Sequence, residues 1–124
     1  MDYKPRKMMF KAWNRETRLL MRLNSIDCNK GELIKKDHIL LQFTGLYDIQ
    51  KEEIYEMDVL LVGKDKFLVM WDNDRNGWTL VNLMDRPGVA QPFVTSLSEK
   101  ATRLWNYFES ERNWPDCKPG RGSL

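Results

Sequence analysis

Apolar and polar residues alternate along most of this chain with the two-residue period of β-strands. The densest stretch is residues 39–62, ILLQFTGLYDIQKEEIYEMDVLLV. It holds two apolar runs, 39–43 and 59–62, joined by a polar segment around Gly45. In the first run Ile39, Leu41 and Phe43 share one face and Leu40 and Gln42 the other, so the pattern predicts a central strand over 38–44, ended by Gly45.

Upstream, residues 7–14 place Met8, Phe10 and Ala12 on one face and Met9, Lys11 and Trp13 on the other. Residues 18–24 alternate again, with Leu19, Met21 and Leu23 opposite Leu20 and Arg22. Residues 15–23 are also good helix formers, but the preceding strand needs a partner, and a hairpin is expected. Asn29-Lys30-Gly31 signals a turn with a short strand after it, and residues 51–56 read as one helical turn.

Downstream, residues 59–62, 67–71 and 78–84 form a three-stranded meander. Its first link opens on Gly63, which suits a type II′ turn, and its second carries Asn76-Gly77. Asp85-Arg86-Pro87-Gly88 is a further turn. A helix is expected over 96–112, where Ser96 and Glu99 make a capping box and Leu97, Ala101, Leu104, Trp105 and Phe108 fall on one face. Trp114-Pro115 stops it.

These elements predict a mainly β fold, a small barrel or sandwich of short antiparallel strands with one C-terminal α-helix, in other words a β-rich α+β protein. A single domain over 1–112 is expected, with 1–6 a flexible lead-in and 113–124 a mobile tail. At 124 residues the chain can bury a core without metal or disulfide staples. Its 42% hydrophobic and 31% charged content excludes a disordered chain.

Net charge is +2, unevenly spread. Residues 1–25 carry seven basic and two acidic groups, and residues 26–66 carry six basic and nine acidic ones. Cys28 and Cys117 are the two cysteines; no C-x-x-C brings them together, so free thiols are expected, and a disulfide between them is not required. Residues 1–20 hold no continuous apolar stretch of the signal-peptide kind, and no run approaches the roughly 18 apolar residues of a membrane span. The expectation is a cytosolic protein with no membrane partner.

Three stretches are similar to one known family. Phe10-Lys11-Ala12-Trp13-Asn14, Leu41-Gln42-Phe43-Thr44-Gly45-Leu46-Tyr47-Asp48 and Glu53-Ile54-Tyr55-Glu56-Met57-Asp58-Val59 resemble the YopX family patterns F-R-A-W-D, L-M-Q-Y-T-G-L-x-D and K-E-I-Y-E-G-D-I-V in order and spacing. The resemblance covers residues 10–81. Met57 stands where the family has Gly, and Gln50-Lys51 where it has Asn-Gly. Glycine at such positions allows positive φ, so those two turns are where the pattern departs. The resemblance implies a mostly β fold and an origin in phages or prophages. It implies no activity, and its shared aromatic and glycine residues fit core and turn roles.

No P-loop, G-x-G-x-x-G, H-E-x-x-H or G-x-S-x-G motif is present, so no enzyme is expected, and no cofactor. Asp72-x-Asp74-x-Asn76-Gly77 matches the start of a calcium loop. Position twelve is Leu83 where a bidentate Glu is needed, and the flanks read as strands, so no metal is expected. His38, the only histidine, reads as a strand-entry residue, and Glu52, Glu53, Glu56 and Asp58 as a solvated charged loop.

Two candidate surfaces remain. Trp71, Arg75 and Trp78 flank the 72–77 loop and are the residue types of protein–protein hot spots. Lys11, Trp13, Arg15, Arg18 and Arg22 offer aromatic stacking and phosphate contacts on a basic hairpin, with Trp13, Lys11 and Arg22 placed on one outward face. The acidic middle of the chain disfavours a broad nucleic-acid face. The leading expectation is a non-enzymatic interaction protein that binds a host or defence-system protein, an inhibitor being one form. The alternative is a nucleic-acid-binding accessory protein.

Overall fold

Strand pairing accounts for most of the backbone hydrogen bonding in the computed structural model, which describes residues 1–84 and 90–112, with side chains described to Ser110. In chain order the elements are β1 (Phe10–Asn14), β2 (Leu20–Arg22), β3 (Asp27–Asn29), β4 (Glu32–Ile34), β5 (His38–Tyr47), β6 (Glu53–Tyr55), β7 (Asp58–Val62), β8 (Asp65–Asp72), β9 (Gly77–Asn82), β10 (Ala90–Pro92), α1 (Thr95–Ser98), β11 (Thr102–Asn106) and α2 (Tyr107–Arg112). A four-stranded sheet runs β2-β1-β5-β6 and a five-stranded sheet β10-β9-β8-β7-β11, with β3-β4 a separate hairpin. Every pairing is antiparallel. The expected mainly β fold is the observed one.

The first hairpin and the meander form as the alternation predicts. Lys11 pairs with Arg22 and Trp13 with Leu20 across β1-β2. Gly63, at φ 63°, turns β7 into β8. Lys30 and Gly31 both take positive φ, 53° and 86°, which is the type I′ pattern for the β3-β4 turn. The core on the five-stranded sheet is apolar: Leu60, Phe67, Val69 and Leu80 gather with Ile54, Phe93 and Ala101.

Three expectations need correction. Gly45 does not end its strand. It takes φ 87° inside β5, where the register to β6 shifts between Phe43 and Tyr47. Glycine there permits a bulge, so the strand bends and continues. Residues 51–56 are not a helical turn, because Glu53–Tyr55 forms β6 against β5.

The helix over 96–112 is also absent as drawn. Thr95–Ser98 and Tyr107–Arg112 are short helices, and Thr102–Asn106 between them is a strand paired with β7. Ser96 does not cap, since Val94 is the N-cap and no side chain bonds there. The amphipathic spacing was real, but the free edge of β7 outweighed it. A buried strand edge leaves backbone groups unpaired, and β11 satisfies them. Trp105 therefore points outward, 39% exposed, with Lys66 Nζ 5.4 Å from its ring. The turn at residues 85–88, the stop at Trp114-Pro115, the tail and Cys117 lie outside the described residues.

The two glycine departures leave their turns intact. Met57 adopts φ 69° and Lys51 φ 68° with their side chains in place. Met57 is held by two 2.7 Å hydrogen bonds: its N–H donates to the Val69 carbonyl and its carbonyl accepts from the Tyr107 N–H. A left-handed conformation costs a non-glycine residue about 1–2 kcal/mol, which these surroundings offset.

Candidate functional site

Two buried aspartates, Asp48 and Asp58, tie the sheets together. Asp48 follows the end of β5. Its Oδ1 accepts from the N–H groups of Gln50 (2.8 Å) and Glu52 (2.9 Å), and its Oδ2 from the Arg103 N–H (2.9 Å). Asp58 opens β7. Its Oδ2 accepts from the Tyr55 N–H (2.8 Å) and Arg103 Nε (3.0 Å), and its Oδ1 from Asn106 Nδ2 (3.0 Å). Asn106 Nδ2 also donates to the Glu56 carbonyl at 3.2 Å. These bonds join the turn before β6, the start of β7 and the whole of β11.

The expected solvated carboxylate loop is thus not solvated as a unit. Asp58 is fully buried, Glu56 and Glu53 are half-buried, and only Glu52 is exposed. Asp58 is buried because donors converge on it and one of them is a cation. Burial still pushes its carboxyl above the usual range, against the downward pull of Arg103, the Tyr55 amide and Asn106. Burial likewise raises Glu56, whose Oε1 accepts from the Gln42 N–H at 3.3 Å.

Over this junction lies an open cleft of about 390 Å³, lined by Lys11, Arg22, Tyr47, Lys51, Glu52, Glu53, Tyr55 and Arg103. It runs from β1 and β2 across β5 and β6 to β11. Arg22 Nη2 and Tyr55 Oη share one acceptor, Glu53 Oε1, at 2.9 and 3.3 Å. Burial and the Glu53 charge raise the Tyr55 phenol. Lys11 Nζ sits 4.4 Å from the centre of the Tyr55 ring, a cation–π contact. Burial lowers the Lys11 ammonium pKa; the charges of Arg103 and Arg22 lower it further, and those of Asp58 and Glu109 oppose this. Among the described residues no carboxylate lies within 4.0 Å of Lys11 Nζ. The Arg103 side chain is 20% exposed and spends Nε on Asp58. Its terminal nitrogens have no hydrogen-bond partner among the described residues. A smaller hollow of about 220 Å³ adjoins through Arg22 and Tyr55 and is lined by Met8, Met9, Phe10, Leu23 and Ile26 among others.

The basic-hairpin set divides. Lys11 and Arg22 reach the cleft together, as their register pairing requires. Trp13 is not on an outward face. It is 4% exposed, stacked at 5.5 Å on Phe108, with the Arg18 guanidinium 6.0 Å from its ring. Phe108 of α2 covers the ring while Lys11 next to it along the strand faces the cleft, so the ring has no open side for a base. Arg15 and Arg18 are exposed at the far end of the hairpin.

Trp71 and Trp78 pair directly across β8-β9, with centroids 5.1 Å apart and planes at 80°. Trp78 is half-buried against the apolar core, and Trp71 is 39% exposed. Arg75 is 70% exposed and reaches Asp72 only at 4.0 Å. Asp72 Oδ1 accepts from the N–H groups of Asp74 (2.9 Å) and Arg75 (3.3 Å). Asp72 thereby closes a hairpin turn between strands, as the flanking pattern indicated. His38 Nδ1 lies 2.7 Å from the Lys36 carbonyl, and Cys28 is exposed on β3.

Tyr47, Lys51 and Arg103 were missed as site residues. Arg103 is not readable as a site residue because the helical spacing over 96–112 puts it off the apolar face. A signal did exist in Asp48 and Asp58, each of which closes one of the family-like stretches or stands next to its end. An acidic residue inside an apolar pattern marks a buried acceptor in search of a distant donor.

A family model described as YopX protein matches residues 6–99. The crystal structure of protein EF1440 from Enterococcus faecalis is similar to this chain with a TM-score of 0.58 at 16% identity, covering 86% of this chain and 96% of that one. At that identity the likeness shows a shared fold. No curated protein matches the sequence. Among the described residues no helix is long and apolar enough to cross a membrane.

Proposed function

This chain belongs to the YopX family, and from that premise we propose that it is a non-enzymatic interaction protein of phage or prophage origin, acting in the bacterial cytoplasm on a host or defence-system protein. The observation that carries the reading is the tryptophan pair at the end of the meander. Trp78 is anchored in the core and holds Trp71 edge-on, so an exposed aromatic is presented on a rigid hairpin. Arg75, with one distant acidic neighbour, stands beside it. Aromatic and Arg side chains on a preorganised support bind at low ordering cost. Inhibition of the target is the form of interaction this reading favours.

The test is capture of partners from a bacterial host lysate on the tagged protein, with and without nuclease. One protein retained in stoichiometric amount after nuclease is expected. Trp71→Ala and Arg75→Ala should each release it, at a cost of about 2 kcal/mol or more for a hot-spot residue. Trp78→Ala should release it too, with some loss of stability. Retention by all three variants would remove this surface as the site.

The exposed Arg15 and Arg18 favour a second reading, nucleic-acid binding by the first hairpin together with Lys11 and Arg22. It predicts affinity that falls steeply with salt and is reduced by Arg15→Ala and Arg18→Ala. Negligible binding at low salt would eliminate it.

A further inference from the structure

The cleft between β1-β2 and β11 holds two cations with donors that no acceptor among the described residues takes up, the Lys11 ammonium and the terminal nitrogens of Arg103. Among the described residues Lys11 has the Tyr55 ring against it and no ion-pair partner, and Arg103 presents its terminal nitrogens after Nε is fixed by Asp58. Keeping Lys11 half-buried with no carboxylate in ion-pair contact among the described residues is costly: burial outweighs the more distant attraction of Asp58 and Glu109, and the Arg103 and Arg22 charges add to the cost. Arg103 is preoriented by a buried carboxylate, as guanidinium groups that grip oxyanions are. Lys51, held at positive φ on the turn closed by Asp48, adds a third positive charge at the rim.

We propose that this cleft binds the phosphate of a small phosphomonoester of mononucleotide size, with Lys11 and Arg103 gripping the phosphate oxygens. The rim sets the rest of the ligand. Glu52 and Glu53 are acceptors for ligand hydroxyls. Tyr47 is 39% exposed and held edge-on by Phe43 at 5.5 Å, which gives a flat face for a ring. The same two glutamates repel a continuous phosphate backbone, so the ligand is a small molecule and not a nucleic-acid strand. A cleft of about 390 Å³ is in the range of small-ligand sites.

The test is titration of the full chain with a mixed set of 5′-mononucleotides, inorganic phosphate, an unphosphorylated nucleoside and a single-stranded oligonucleotide, followed by calorimetry and phosphorus NMR. The mononucleotides should bind with Kd between about 10 µM and 1 mM, and inorganic phosphate should compete more weakly. Lys11→Met should weaken binding at least about tenfold with the thermal midpoint retained or raised, since relief from burying the ammonium offsets the lost cation–π contact with Tyr55. Lys51→Ala, at an exposed turn position, should weaken it by a smaller factor and guards against any misfolding of the first variant. No heat and no phosphorus shift at 5 mM of any mononucleotide (a limit of about −3 kcal/mol) would overturn the proposal. So would equal affinity for the unphosphorylated nucleoside, unchanged binding in Lys11→Met, or tighter, steeply salt-dependent binding of the oligonucleotide.

Discussion

The two sheets of this protein are held by different chemistry. The five-stranded sheet packs an apolar cluster in which Leu60, Val69 and Leu80 have no exposed surface. The junction where the four-stranded sheet meets β7 and β11 is as deeply buried but polar, with Asp48 and Asp58 accepting from Arg103 and Asn106 of β11. In the first region each side chain contributes by leaving water, and its neighbours are interchangeable within limits of shape. In the second, each group is stable only while its own partner is present. The candidate cleft lies over the second region. Binding chemistry sits where the fold depends on specific pairs, because only such pairs hold a guanidinium aimed outward.

The contrast is broken hardest at Asp58. Asp58→Ala leaves Arg103, Asn106 Nδ2 and the Tyr55 N–H without their shared acceptor. Urea unfolding should show a loss of about 3–5 kcal/mol. Adding Arg103→Met to the same chain should recover part of that loss, since the orphaned charge is gone. A double variant no better than the single one would show that the junction is ordinary packing.

Leu80→Ala probes the other region. It should cost about 3 kcal/mol, within the range for emptied aliphatic sites, and no second substitution in the polar junction should alter that figure by more than about 0.5 kcal/mol. Strong coupling between Leu80 and Asp58 would mean that the two regions are one cooperative core.

The same contrast explains what the sequence let us read. The meander was legible because Val59–Val62 and Phe67–Trp71 alternate locally and their turns carry Gly63 and Asn76. Positive φ at Asn76 and Gly63 follows from residue type alone. The polar junction was not legible, since Asp58 meets Arg103 and Asn106 across more than forty intervening positions. Nothing near Arg103 says that it is needed elsewhere. The segment around it has helical spacing, and the strand it forms is imposed by the edge of β7. The positive φ at Lys51 and Met57 was hidden for the opposite reason: neither residue favours it, and surrounding hydrogen bonds impose it.

Lys51→Gly measures that imposed strain. The side chain is exposed, so relief of the left-handed conformation should dominate the extra backbone entropy of glycine, and stability should rise by about 0.5–1 kcal/mol. A decrease would show that the Lys51 side chain contributes more to the turn than its backbone costs.

The smallest effect is the most telling about the cleft. The folded state lowers the Lys11 pKa below 10.5, mainly through burial. Below both its folded and unfolded pKa values Lys11 is charged in both states and the penalty is fully present. As pH climbs from the folded value toward 10.5, the unfolded chain binds more protons than the folded one, so stability rises with pH across that window. Lys11→Met should therefore be slightly more stable than the parent at pH 7, by up to about 0.5 kcal/mol, and the advantage should shrink as pH approaches 10.5. Tyr55 titrates at the same end of the scale but is common to both proteins, so the difference between their unfolding curves isolates Lys11. A variant less stable than the parent at pH 7 would mean that the ammonium is structurally satisfied by the Tyr55 ring. A more stable one means that this lysine is kept at the expense of the fold, which is the behaviour of a residue held for a ligand and not for the core.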